Sequence, residues 1–183
     1  MADVLSKIKQ ACDTLQNRYC RLLLLTGQSA GKNAFADHCA EYVGCKKIKL
    51  GAMLSQELLA ASSKQRSGKV GEFFSGFMDE VFPIYFTDIE ILFDRNLKID
   101  PLSLFKFVSR NRIVIVNWPG EYIPDNATII YADSESLEYY DTQLDKEIIC
   151  IDENGQASMN FEYIKAIFIF ISCSLSGLSS YTE

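Results

Sequence analysis

Val4, Leu5, Ile8, Ala11, Cys12 and Leu15 recur at intervals of three and four, the spacing of an amphipathic helix that would pack against the edge of a sheet. Four consecutive leucines, Leu22–Leu25, follow. An unbroken apolar run of this kind suits a strand buried on both faces of a parallel sheet. Asn33–Val43 reads as a helix, and Lys46–Leu50 as a short strand with its lysines on a solvated face. Gly51–Ser63 and Gly71–Glu80 read as helices joined by a polar surface connector over 64–69, with Phe73, Phe74, Phe77 and Met78 as a core stripe. Val81–Thr87 is the next strand, and Pro83 pushes its start towards Ile84. After the polar group Asp94-Arg95-Asn96, a helix opens near Asp100-Pro101 and buries Leu102, Leu104, Phe105 and Val108. Ile113–Val116 is a clean strand closed by Asn117-Trp118-Pro119-Gly120-Glu121, and Thr128–Ala132 and Glu147–Ile151 are further short strands.

Strands alternating with helices predict an α/β fold, a mainly parallel central sheet covered on both faces. The tail 160–183 does not declare itself. Its apolar core, Ile164–Ile171, fits an added strand, a core helix or an exposed patch for oligomer formation. No internal repeat breaks the chain, so 1–183 is read as one domain, with Asp152-Glu153-Asn154-Gly155-Gln156 its most turn-like break.

Composition narrows the function classes. Hydrophobic residues at 48% and charged residues at 23% are ordinary globular values. A net charge of −6 argues against general nucleic-acid binding, leaving direct DNA contact to a local basic patch at most. The first residues lack a secretory apolar core and no apolar run reaches membrane-spanning length, so a cytoplasmic protein without a membrane partner is expected. Cysteines at 12, 20, 39, 45, 150 and 173 form no C-x-x-C pair, and His38 is the single histidine; free thiols are the simpler reading than a zinc cluster.

The chemistry concentrates where strands end. Thr26-Gly27-Gln28-Ser29-Ala30-Gly31-Lys32-Asn33 lies between the leucine strand and a helix, the context of a phosphate-binding loop. There the backbone N–H groups of Gly27, Gln28, Ser29, Ala30, Gly31, Lys32, Asn33 and Ala34 would wrap a nucleotide's polyphosphate, and Lys32 would reach the outer phosphates. Gly27 is one residue too close to Gly31 for the usual G-x-x-x-x-G-K-[ST] spacing: either Thr26 stands at the first glycine's place or the loop is shorter by one. Asn33 replaces the Ser/Thr whose hydroxyl meets Mg²⁺, so weak metal affinity or slow turnover is expected.

Asp88, after an apolar strand, matches the Walker-B arrangement and would hold Mg²⁺ with Asn33. Glu90 is a candidate base and Asn117 a candidate water-positioning residue, which with Lys32 completes the proposed catalytic set. Arg110 and Arg112 precede a strand and so lie at the opposite edge; they are either solvated or salt-bridged, or act on a neighbouring subunit as trans arginines. Trp118 either stacks on a base or packs, with packing favoured.

Asp88-Ile89-Glu90-Ile91-Leu92-Phe93-Asp94, together with Ser109-Arg110-Asn111-Arg112 and Trp118-Pro119-Gly120-Glu121, resembles the BrxF family over about residues 21 to 140. These are small P-loop proteins of type 3 bacteriophage exclusion (BREX) systems. The resemblance implies a P-loop NTPase-like three-layer sandwich, ATP or another NTP with Mg²⁺ as cofactors, and a role in antiphage defence beside other BREX proteins. Carried to this chain, it supports Lys32, Asp88 and Glu90 as nucleotide-site positions. The expected activity is a Mg-dependent ATPase or NTPase; the alternatives are a non-hydrolysing P-loop adaptor or sensor, and a small-molecule kinase, against which the lack of an arginine-rich lid counts.

Overall fold

The computed structural model describes residues 2–27, 32–78, 82–123, 128–133, 136–140 and 148–152. Its first strand is β1 (Leu22–Leu25), all four leucines buried. Parallel partners flank it on both sides: β4 (Val114–Asn117) and β8 (Ile149–Ile151). Beyond β4 lie β3 (Ile84–Thr87) and then β2 (Lys46–Lys49), giving a five-stranded sheet in the order β2-β3-β4-β1-β8, every pairing parallel.

Strand alternation divides the apolar side chains into two cores. On one face, Leu22, Leu24, Phe86, Val114 and Val116 pack under α3 (Leu50–Leu59), α4 (Arg66–Ser75) and α5 (Pro101–Val108). Phe74 sits there in edge and tilted contact with Phe73, Phe77, Phe86 and Phe105, their centroids 5.5–6.4 Å away. On the other face, Leu23, Leu25, Tyr85 and Ile115 pack under α1 (Ala2–Leu15) and α2 (Lys32–Val43). The fold is therefore α/β with helices on both faces, as the pattern predicts. The first helix lies over β1 beside α2, not along the sheet edge.

Three local departures have physical reasons. The connector expected over 64–69 is already helical from Arg66, because the first turn of α4 is solvent-facing and its buried contacts begin at Val70. The lysine strand is not wholly a solvated face, since Lys47 pairs with Asp37 of α2. The turn read over 117–121 gives way at Gly120 to a strand: β5 (Gly120–Ile123), β6 (Thr128–Asp133) and β7 (Ser136–Tyr140) form a separate antiparallel sheet inserted between β4 and β8. Thr128–Ala132 is thus a strand, but outside the parallel sheet. Residues 79–81 and the tail 153–183, including the Ile164–Ile171 segment, lie outside the described residues. No described helix is long and apolar enough to cross a membrane.

Candidate functional site

The chain leaves β1 for the far edge strand β2, then works back through β3 and β4 and crosses to β8 on the other side. The crossover that leaves β1 carries α2 on one face of the sheet, whereas α3–α5, which join β2 to β3 and β3 to β4, lie on the other. In open α/β sheets ligands collect beyond the carboxyl ends where crossovers change faces. The register makes that edge concrete. Leu25 lies level with Asn117 and Ile151, and Phe86 with Val116, so Thr87 extends the row that holds Asn117. Strands being about 4.8 Å apart, the ends of β3 and β1 are separated by about 10 Å, the width of a phosphate chain with its ligands.

The exit from β1 is held from both sides. Leu25 O accepts from Trp118 N at 2.8 Å, and Thr26 N donates to Ile151 O at 2.9 Å. Gly27 then turns with φ 118°, a conformation that calls for glycine. Its N–H donates to Gly120 O at 3.0 Å, so Gly27 serves the loop by shape while its amide ties the loop to the start of β5. Lys32, Asn33 and Ala34 open α2, the helix that follows this strand. Gln28, Ser29, Ala30 and Gly31 lie outside the described residues.

At the end of β3, Asp88 is half-buried between the buried Thr87 and Ile89. Its φ of 56° is left-handed, a region that aspartate tolerates better than most non-glycine residues. Gly51, in the first turn of α3, permits this: a Cβ there would stand 2.9 Å from Asp88 O and 3.6 Å from Asp88 Cβ. Glu90 is exposed at the head of the 3-10 turn Glu90–Phe93. Two hydroxyls at this edge, Thr26 Oγ1 and Thr87 Oγ1, are buried with no hydrogen-bond partner. Sequence reasoning weighed Thr26 only as a stand-in for the loop's first glycine and gave no site role to Gly51, Gly120 or Thr87; a glycine directly after a short strand was the one available signal.

At the end of β4, Asn117 is half-buried. Trp118 packs, as favoured from sequence: it is fully buried and meets Phe93 edge-on, centroids 5.2 Å apart. That contact locks the segment after Asp88 to the segment after Asn117. The arginines separate. Arg110 is exposed, its guanidinium 5.8 Å from the Tyr19 ring centre and 5.7 Å from that of Phe107. Arg112 is buried and donates to Met78 O, so it is neither a solvated residue nor one able to reach a neighbouring subunit.

Gly27, Asp88 and Asn117 therefore share one edge, with Lys32 at the head of the helix that follows the loop. Among the described residues, no three His, Cys, Asp or Glu side chains converge to hold a metal by themselves. An Mg²⁺ at this edge would take most of its ligands from phosphate and water, as that ion commonly does. His38 is exposed on α2. The five described cysteines are free thiols, and burial pushes Cys12 and Cys39 up to about 12 and Cys45 to about 11, which leaves them protonated and unreactive.

No family model, curated protein or solved structure matches the chain.

Proposed function

We propose that this protein binds ATP or a related nucleotide with Mg²⁺ through a deviant P-loop and acts in bacterial antiphage defence, as a component of a BREX-type system. One observation carries the nucleotide reading. The parallel register brings the glycine after β1, the aspartate after β3 and the asparagine that ends β4 to a single edge, where the crossovers change faces of the sheet. The defence role rests on the resemblance of the 88–94 and 109–121 segments to BrxF proteins.

In this reading Lys32 stabilises the outer phosphates, Asp88 and Asn33 support the metal, Glu90 takes the proton of the attacking water and Asn117 orients that water. A bound Mg²⁺ would neutralise charge on the phosphoryl oxygens. Titration with labelled ATP, with and without Mg²⁺, tests it. Lys32→Ala should weaken nucleotide binding at least tenfold, on the order of 1.4 kcal/mol. Asp88→Ala should abolish the Mg²⁺ dependence while sparing Mg²⁺-free binding. A wild-type protein that binds no nucleotide sinks the proposal.

A non-hydrolysing adaptor or sensor is the second reading, favoured by Asn33 in place of a hydroxyl and by the engagement of the Gly27 amide with Gly120. Phage restriction that survives Lys32→Ala would select it. Self-association through the Ile164–Ile171 segment belongs to either reading, and light scattering that shows a fixed monomer with and without nucleotide would remove it.

A further inference from the structure

Thr87 has no assigned role, yet it is the last residue of β3 and completely buried, and its hydroxyl meets no donor or acceptor among the described residues. Buried polar groups in folded proteins are almost always paired, and an exception calls for an explanation, a bound ion or water among them. Strand alternation says which face the hydroxyl is on. Tyr85, Ile115 and Leu25 all belong to the core under α1 and α2, so Thr87, two residues beyond Tyr85, and Asn117, two beyond Ile115, stand side by side on that face.

Their height is also fixed. Cys39 of α2 and Tyr85 share that core, and α2 starts at the carboxyl edge and runs back across β2 and β3. Two strand residues advance about 6.6 Å, equal to about four residues of helix. Thr87 therefore lies opposite the first turn of α2, where Lys32 and Asn33 open the helix. Asp88, with its left-handed φ, has its Cβ against Gly51 on the α3 side, the face opposite Thr87, and Ile89 then follows into the core under α3. The loop lacks a hydroxyl at Asn33, while β3 holds an unpaired one facing the same junction.

We propose, resting on the nucleotide reading, that Thr87 supplies from β3 the hydroxyl missing from the loop, as a ligand to the metal–polyphosphate group. The residue does not break bonds; it holds the cation's shell in place beside Asn117. The orphaned hydroxyl is the feature that fits such a group, since a carboxamide at Asn33 and one half-buried carboxylate leave a hard cation short of oxygen.

The test compares wild type, Thr87→Val and Thr87→Ser by labelled-ATP titration with and without Mg²⁺, and by melting of the ligand-free proteins. Valine keeps the shape and deletes the hydroxyl. We expect Thr87→Val to bind Mg²⁺-free ATP as wild type does but to lose about tenfold or more of the gain that Mg²⁺ confers, the usual effect of deleting a group that supports a metal. Thr87→Ser should retain that gain, and ligand-free Thr87→Val should melt at or above the wild-type temperature because an unpaired hydroxyl has been removed. A full Mg²⁺ gain in Thr87→Val overturns the inference and leaves the nucleotide reading standing. So does a ligand-free melting temperature several degrees lower for Thr87→Val alone, which would assign the hydroxyl to a structural bond. Wild type that binds no ATP removes the underlying reading, and this inference with it.

Discussion

Asp88 sits at φ 56° beside a glycine that leaves its carbonyl just enough room. Strain of this sort gathers at functional positions. A left-handed φ suits glycine and penalises alanine, so Asp88→Gly should be more stable than Asp88→Ala by about 1 kcal/mol in urea denaturation. Gly51→Ala should destabilise by about 1–3 kcal/mol, because the new methyl meets backbone that cannot swing aside. Equal stability of Gly51→Ala and wild type would show that α3 shifts freely. At this scale the sequence was only half informative. An acidic residue after an apolar strand is visible as a pattern and singles out Asp88, while Lys32 is read from the glycine loop and Asn117 from the end of its strand. Gly51 looked like an ordinary helix start. Thr87 looked like any β-branched residue in a strand, since propensity carries no record of whether a hydroxyl finds a partner.

Elements were legible wherever local chemistry and burial agreed. The helix from Pro101 is one such case: Asp100 Oδ1 accepts from Leu102 N at 3.0 Å, the side-chain cap that a helix start asks for, and proline fills the first turn. Asp100→Ala should therefore lower stability by about 1 kcal/mol, read from the denaturation midpoint, with the helix still formed. The phenylalanine stripe was legible too. Phe74→Ala, at the centre of five rings, should cost about 3–5 kcal/mol. Legibility failed where local signals were weak. Gln65 makes no side-chain bond to the first turn of α4; its Oε1 instead accepts from Ser62 N and Oγ, and that Ser-x-x-Gln start signal lies within the stretch read as a helix end and connector. Pro119-Gly120 reads as a turn, yet Gly120 already pairs with Tyr131. Ser136–Tyr140 has one aliphatic side chain among its five residues, and its strand character comes from pairing with β6.

Across the molecule, burial of the thiols couples stability to alkaline pH. Cys12 and Cys39 rise from 9.0 to about 12, so the folded state keeps protons that the unfolded chain releases above 9. Their contribution is whole below pH 9 and is lost as pH climbs towards about 12. Denaturant melts at pH 8 and pH 10.5 should show the drop, and Cys39→Ala should flatten it; parallel curves for both proteins would contradict the assignment. The parallel order of the sheet was foreseeable from alternating strands and helices, but the inserted antiparallel sheet was not, because separating the two depends on partners far apart in sequence.

One consequence concerns how the chain is made. Leu23, one strand in from the edge of the sheet, pairs on its outer side with Ile149, so β1 keeps an open flank until nearly all of the described chain has left the ribosome. A row of unpaired backbone groups on a leucine strand is a template for other strands. Nascent chains halted after Tyr140 should consequently clump or recruit chaperones, whereas those that extend past Asp152 should not.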